Sequence, residues 1–161
     1  MKDKRPVTAA VRVLREHGVG FTHHTYEYEE RGGTAVSARE LGVDEHAVIK
    51  TLIMEDDAKL PLVVLMHGDR EVSTKNLARQ IGVKSIQPCA PAVADRHSGY
   101  QVGGTSPFGT KRAMPVYVER SILDLERVWI NGGRRGFLVS MDPKEIARVL
   151  KPTPVDVAID A

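Results

Sequence analysis

The sequence predicts a single domain of the α+β class, built on a mixed, mostly antiparallel sheet. Its 161 residues fall within the usual length of one domain. Patterns typical of helices and of strands alternate along the chain, but without the regular strand–helix–strand period of a parallel α/β fold. The chain has no internal repeat and no stretch with the composition of a linker. We therefore expect one continuous hydrophobic core.

Helical spacing and capping residues predict five helices. The first covers residues 6–17, where Pro6 suits the first turn, apolar residues recur at helical spacing and Gly18 suits the exit. Thr34 and Asp142 are suited to cap two later helices, and Pro143 fits the first position of the last one. The later helices are expected at residues 34–41, 73–81, 90–97 and 143–150.

Runs of apolar, aromatic and β-branched residues predict the strands. Residues 48–54 and 62–66 flank a polar turn and are expected to pair antiparallel. The further strands are expected at residues 21–28, 83–87, 115–119, 127–130 and 136–141. Residues 98–111 are predicted as a glycine-rich loop and Gly132-Gly133 as a turn. The domain is expected to cover residues 1–150, with residues 151–161 as a C-terminal tail.

Composition excludes several classes of protein. The chain is 42% hydrophobic and 27% charged, which is ordinary for a globular protein. The single cysteine, Cys89, excludes a disulfide scaffold and a cysteine-rich zinc site. The N-terminus lacks the apolar segment of a signal peptide, and the longest apolar run, residues 60–66, is far shorter than the ~20 residues of a membrane span. We expect a cytoplasmic protein without a membrane segment.

Lys50 stands out within the apolar strand at residues 48–54. Side chains alternate along a strand, so Lys50 shares a face with Val48, Leu52 and Met54. An ammonium group is costly to bury among apolar side chains. Two interpretations are open: the side chain extends to solvent at a sheet edge, or it projects into a polar cleft and contacts an anion or a carbonyl oxygen.

The glycine-rich loop at residues 98–111 is a second candidate site. Glycines allow positive φ and close approach of a ligand, and free backbone N–H groups can receive a phosphate or carbonyl oxygen. Gly104 and Gly109 have the glycine spacing of a P-loop, but Thr110-Lys111 reverses the required order, which excludes a P-loop nucleotidase. A plain connection is equally consistent with the sequence.

The remaining polar residues give weaker indications. The six histidines have no metal-binding spacing, and Cys89 lies in no nucleophile motif, so we expect neither a metal site nor a cysteine nucleophile. Two basic pairs, Lys111-Arg112 and Arg134-Arg135, are either ordinary surface charge or contacts to RNA phosphates. Proximity to the glycine-rich loop would favour the second interpretation.

Four segments together resemble a known family. They are His24-Thr25-Tyr26-Glu27, Val48-Ile49-Lys50-Thr51-Leu52, residues 98–109 and Asn131-Gly132-Gly133-Arg134-Arg135-Gly136. In their order and spacing the chain resembles the YbaK family of aminoacyl-tRNA deacylases, which are relatives of the editing domain inserted in some prolyl-tRNA synthetases. The resemblance runs from about Thr8 to Leu150 and is strongest to the cysteinyl-tRNA deacylase branch.

The resemblance implies a fold, an activity and a site. The fold would be an α+β domain with a mostly antiparallel, partly closed sheet surrounded by helices. The activity would be release of cysteine from mischarged tRNA for proline, with Cys-tRNA(Cys) as a further candidate substrate. No metal or other cofactor is implied, and the partners would be the aminoacyl-tRNA 3′ end and, as a further candidate, prolyl-tRNA synthetase. The catalytic residues would be Lys50 and Gly103, and the substrate-binding residues Tyr26, Thr51, Gly104, Ser106 and Asn131.

The residues themselves leave the reaction open between three readings. In the cysteine-specific branch the substrate thiol attacks its own ester, which suits a chain without an evident nucleophile or acid–base pair. The alternatives are a water-dependent deacylase for another small amino acid such as alanine, and a non-catalytic module that binds tRNA ends or a synthetase. Departures from the family at Gly33-Thr34, Asn131 and Leu138 concern amino-acid specificity. Thr51 is expected to point away from Lys50 in a regular strand.

Overall fold

A mixed sheet lies at the centre of the molecule and confirms the predicted α+β class. The structure is a computed structural model that describes residues 6–161. Its helices are α1 Ala9–Glu16, α2 Gly33–Leu41, α3 Thr74–Ile81, α4 Pro91–Ser98 and α5 Pro143–Leu150. Its strands are β1 Thr22–Thr25, β2 Val48–Asp56, β3 Pro61–His67, β4 Arg70–Val72, β5 Ile86–Pro88, β6 Val116–Glu119, β7 Val128–Arg134, β8 Phe137–Met141, β9 Thr153–Val155 and β10 Ala158–Asp160.

The sheet order places β2 at the middle of the sheet. The strands run β1-β8-β7-β2-β3-β6-β9, with β5 also paired to β2, while β4 and β10 form a separate two-stranded sheet. The predicted antiparallel pair is β2 and β3, whose register sets Lys50 opposite Met66. On its other side β2 runs parallel to β7, with Ile49 opposite Ile130. Lys50 therefore lies on a strand with neighbours on both sides, not at a sheet edge.

The two faces of the sheet bury different sets of residues. Ile49 and Ile130 belong to the largest core cluster, which also holds residues of α1, α4 and α5. Val48 and Leu138 face the other way and pack with Ala38 of α2. Because side chains alternate along β2, Lys50 lies on the same face as Val48, towards α2.

Capping residues set several helix ends where the sequence predicts them, but Thr34 lies inside α2, whose N-cap is Gly32. The side chains of Ser73 and Asp142 accept hydrogen bonds from the first turns of α3 and α5. Gly42 and Gly82 end α2 and α3 in the left-handed conformation. The first helix is shorter than predicted, since Thr8 is its N-cap and accepts a hydrogen bond from Val11 N at 3.1 Å.

The predicted strands are present but their bounds differ, most of all for β5, which covers Ile86–Pro88 instead of residues 83–87, and for the first strand and the predicted turn at Gly132-Gly133. The first strand covers only Thr22–Thr25 of the expected residues 21–28. Gly132-Gly133, expected as a turn, lies inside β7, where the register to β8 shifts between Asn131 and Arg134. Gly132 fits there because a Cβ would lie 2.4 Å from the Phe137 ring, so the ring packs directly on the glycine.

Residues 151–161, expected as a tail, are part of the fold. They form β9, which pairs with β6, and β10, which pairs with β4. Val155 and Val157 are buried, and Glu119 Oε1 accepts hydrogen bonds from Val157 N at 2.7 Å and Ala158 N at 2.9 Å. The prolines that suggested a tail are tolerated because β9 is an edge strand. Among the described helices, none has the length and apolar character needed to cross a bilayer.

Candidate functional site

The Lys50 ammonium is half-buried without a close counter-charge. Within residues 6–161, no carboxylate lies within 4.0 Å of it. Burial lowers the pKa of Lys50 below its ordinary value, and the more distant carboxylates of Glu71, Glu45 and Asp69 oppose that shift. The cation is therefore stabilised by the surrounding negative charge but keeps its donors available for a ligand.

Asn131 connects the Lys50 strand to the glycine-rich loop. The parallel register of β2 and β7 runs to Ile49 opposite Ile130, and Lys50 and Asn131 are the next residues of the two strands. By strand alternation both follow residues of the main core and belong to the α2 face. Asn131 Nδ2 donates to Gly103 O at 3.3 Å, and Asn131 Oδ1 accepts from Gly133 N at 2.6 Å. One amide side chain thus holds both the bulge of β7 and the backbone of Gly103.

Gly103 is exposed and adopts a backbone conformation that favours glycine. Its φ is +87°, and a Cβ there would lie 2.5 Å from Tyr28 Oη. Among residues 6–161, no acceptor is bonded to the Gly103 N–H. A free backbone donor at an exposed loop tip can hold a carbonyl oxygen or an oxyanion.

Gly104 has a packing role in the same loop. It is buried, and a Cβ would lie 2.7 Å from the backbone nitrogen of Arg135. Its own N–H donates to Gln101 O at 2.7 Å. The loop therefore rests directly on the β7–β8 connection, which only a glycine at this position allows.

Tyr26 and Leu138 lie on the Lys50 face of the sheet. Both belong to the cluster that packs beneath α2, and Tyr26 N donates to Gly136 O at 2.9 Å. Burial raises the pKa of the Tyr26 phenol above its ordinary value, while a hydrogen bond with Ser37 of α2 opposes the rise. The Tyr26 phenol is therefore a neutral hydrogen-bond donor at physiological pH. Leu138, which is apolar and 4% exposed, lies in the same cluster.

Two predicted substrate-binding residues have side chains placed elsewhere. Thr51 points to the opposite face from Lys50, as the alternation predicts, and its buried Oγ1 has no hydrogen-bond partner among the described residues. Ser106 is 0% exposed, and its Oγ accepts a hydrogen bond from Phe108 N at 3.2 Å. The structure thus joins Asn131 to Gly103 by a hydrogen bond and places Lys50 on the strand next to that of Asn131, while Ser106 shapes the loop from inside.

A polar group near Lys50 was not found from the sequence. His46 Nδ1 lies 2.8 Å from Asp69 Oδ1, and the rings of His46 and His67 stack at 3.7 Å. His46 is in a short 3-10 helix before β2, and Asp69 is in the β3–β4 turn. His67, a polar residue at the end of an apolar strand, is the sequence feature that could have pointed to this group. No three His, Cys, Asp or Glu side chains of the described chain are arranged to hold a metal ion.

The comparisons with known proteins decide the family. The sequence model of the aminoacyl-tRNA editing domain matches residues 29–149, which include β2, the glycine-rich loop and the β7–β8 connection. The chain belongs to the aminoacyl-tRNA editing domain family. This confirms the resemblance to deacylases and to the editing domain of prolyl-tRNA synthetases.

Similar editing proteins come from several bacteria. EbsC of Enterococcus faecalis, a proposed Cys-tRNA(Pro)/Cys-tRNA(Cys) deacylase, is 27% identical over 90% of this chain and 89% of its own. A proline–tRNA ligase of Nitratidesulfovibrio vulgaris is 29% identical over 81% of this chain but only 20% of the ligase. The chain therefore corresponds to about a fifth of that ligase.

Solved structures agree with the editing-domain fold. The structure of a proposed trans-editing enzyme for prolyl-tRNA synthetase superposes with a TM-score of 0.83, covering 96% of this chain and 99% of the other. Sequence identity in that comparison is 20%, so the likeness concerns the fold. The mixed sheet and its surrounding helices are thus those of an editing domain.

Proposed function

We propose that this editing domain acts in trans as a deacylase that releases cysteine from mischarged tRNA for proline. The observation that carries the proposal is Lys50, a half-buried cation on the strand next to that of Asn131, whose side chain holds the backbone of Gly103. These groups suit an ester carbonyl that becomes negatively charged during reaction. The likeness to EbsC over nearly the whole of both chains supports cysteine as the amino acid.

The reaction uses the substrate's own sulfur as nucleophile. The cysteine thiol loses its proton and attacks the ester carbonyl carbon, so a C–S bond forms and an oxyanion develops. The C–O bond to the ribose then breaks, the ribose oxygen takes a proton, and a cyclic thiolactone leaves. Lys50 and the Gly103 N–H stabilise the oxyanion, and fixing the geometry of an intramolecular attack contributes up to ~7–11 kcal/mol.

One alternative substrate is supported by the wall of the site. Leu138 is apolar and belongs to the cluster on the Lys50 face of the sheet, so this side of the site offers no polar group that would favour a thiol over a methyl group. The alternative function is therefore hydrolysis of another small aminoacyl ester, such as alanyl-tRNA, with water as nucleophile. The non-catalytic alternative, a module that binds tRNA ends, has the same contacts without turnover.

Deacylation of a panel of aminoacyl-tRNAs tests the proposal. With tRNA for proline charged with cysteine, serine, alanine or proline, we expect rapid loss of cysteine and much slower loss of serine, whose hydroxyl is a poorer nucleophile. The released product is expected to be the thiolactone, detected by mass spectrometry before it hydrolyses. Equal rates for serine and cysteine would identify water as the nucleophile, and no turnover on any member would leave only the binding module.

Substitution of Cys89 tests whether the nucleophilic sulfur belongs to the substrate or to the enzyme. It is buried, and burial raises the pKa of its thiol, which disfavours the reactive thiolate. Cys89→Ser is expected to keep the cysteine-releasing rate close to wild type. A folded but inactive Cys89→Ser would make the enzyme's own sulfur the nucleophile.

Prolyl-tRNA synthetase is the proposed partner that supplies tRNA specificity. A net charge of +2 gives little general attraction for one tRNA over another. Co-purification with the synthetase in the presence of tRNA is the expected result. Its absence in a pull-down would count against the partnership but not against the deacylase.

A further inference from the structure

Two segments of this protein contain basic residues but no acidic ones. Residues 96–118 and 127–141 together contain six basic and no acidic residues, so the rest of the chain carries a net charge of −4. These segments meet at the glycine-rich loop, because Arg135 Nε donates to Val102 O at 2.8 Å. The total charge is small, but the region around the candidate site is strongly basic.

Three exposed basic side chains lie where the loop begins and ends. Lys111 N donates to Ser98 O at 2.9 Å and Arg112 N donates to His97 O at 3.0 Å, which joins the two ends of the loop at the C-terminus of α4. Arg96, in the last turn of α4, completes the group. We call Arg96, Lys111 and Arg112 the loop-base cluster.

The loop-base cluster forms no ion pair with a carboxylate of the described residues. Within residues 6–161, none of its members forms an ion pair within 4.0 Å, whereas Arg39, Lys59, Arg70, Arg120 and Arg148 each do. Its field is felt at His97: burial, then Arg112 and Arg96, lower the pKa of that imidazole. Unpaired, exposed guanidinium and ammonium groups are what phosphate contacts use.

The cluster is within reach of RNA bound at the site. Gly103 is five residues after Ser98, and a chain extends at most ~3.6 Å per residue, so the two lie within about 18 Å. On the basis of the proposed function, we infer that the loop-base cluster binds phosphates of the acceptor end of the substrate tRNA.

Removing the cluster should separate tRNA binding from chemistry. In the double variant Lys111→Gln/Arg112→Gln we expect kcat/KM for aminoacyl-tRNA to fall about tenfold. The plot of log kcat/KM against log salt concentration has a negative slope, and we expect this slope to become shallower by about 1.5–2. For the aminoacyl ester of adenosine, which lacks those phosphates, kcat/KM should stay within twofold of wild type. The matched control, Lys75→Gln/Lys144→Gln, removes the same charge from α3 and α5 and should leave both substrates and the salt slope unchanged.

Basic residues at a helix C-terminus also stabilise the helix, so a structural role must be distinguished. Equal loss on both substrates, or a loss matched by the control variant, would overturn the inference. Binding of uncharged tRNA, followed by fluorescence anisotropy at several salt concentrations, tests the surface without any turnover. If wild type bound uncharged tRNA no more tightly than the double variant, the cluster would not be an RNA surface, whether or not the protein is a deacylase.

Discussion

At the scale of single residues, Lys50 is the group on which the chemistry depends. Lys50→Met keeps the length of the side chain and removes its charge. We expect kcat/KM for deacylation to fall about a hundredfold to a thousandfold, the usual loss when one preorganised electrostatic contact is removed. The thermal midpoint should not fall, because the variant no longer has to bury an ammonium. The exposed Lys144→Met is the control, and wild-type activity in Lys50→Met would contradict the assignment.

Gly103 is expected to be sensitive to substitution even without substrate. In Gly103→Ala the positive φ costs about 1–2 kcal/mol, and the new methyl group meets the Tyr28 hydroxyl. Tyr28→Phe removes that oxygen, so the cost of Gly103→Ala should be smaller in the Tyr28→Phe background. Urea unfolding of the four proteins of this double-mutant cycle measures the coupling. Strictly additive free energies would show that the loop moves away from Tyr28.

The sequence predicted the parts of the site that depend on local rules. A lysine among apolar residues marked Lys50, and strand alternation gave the direction of Thr51. Tyr26 and Asn131 came only from the family resemblance, because their roles depend on contacts with α2 and with the loop. The group of His46, His67 and Asp69 joins segments about twenty residues apart in sequence, and no spacing rule connects them.

At the scale of elements, the C-terminal strands are expected to contribute to stability. Val157, which lies between β9 and β10, is 1% exposed, while Ile159 of β10 is 45% exposed. Val157→Ala should lower the free energy of unfolding by about 2 kcal/mol, since it removes buried methyl groups. Ile159→Ala, the matched control, should change it by less than about 0.5 kcal/mol. Equal effects in chemical denaturation would mean that these residues do not form a packed strand pair.

The elements that sequence patterns predicted are those with signals at their ends. Asp142-Pro143 and Gly82 mark helix boundaries, and the structure has them there. The missed strands β4, β9 and β10 are three residues long, too short for a period-two pattern. Gly132-Gly133 has the local signature of a turn, but the packing of Phe137 and the side chain of Asn131 hold it in a strand.

At the scale of the whole molecule, one buried histidine links stability to pH. His67 Nδ1 donates to the His46 carbonyl oxygen at 2.6 Å, so in the neutral ring Nε2 accepts from Ser121 Oγ at 2.7 Å. Ser121 Oγ also lies 3.2 Å from Oε2 of Glu119, the residue that holds the C-terminal strands. Burial lowers the pKa of His67, and the hydrogen bond with the His46 carbonyl oxygen opposes the shift. The unfolded chain therefore binds this proton more readily than the folded one, so the free energy of unfolding should fall as pH drops below about 6.5.

His67→Gln tests this pH dependence. The variant should be less stable than wild type at pH 7, since it disturbs the buried network. Its loss of stability between pH 7 and pH 5 should nevertheless be smaller, because the depressed histidine is gone. His24 and His97 remain in both proteins, so their contributions cancel, and the difference reports His67 together with the His46 ring stacked on it. Exposed His17→Gln is the control. The same pH dependence in His67→Gln and wild type, measured by urea unfolding, would exclude His67 as its source.

Because β2 lies between a parallel and an antiparallel neighbour, insertions and deletions within this strand are restricted. One additional residue in β2 ahead of Lys50 would exchange the two faces of the strand and turn the ammonium into the main core. Either neighbouring strand would resist the slip, because both registers would have to change together. Insertions and deletions should therefore be tolerated in the polar turn at residues 56–60 and excluded from residues 48–54, and a library of single-codon insertions would show that boundary directly.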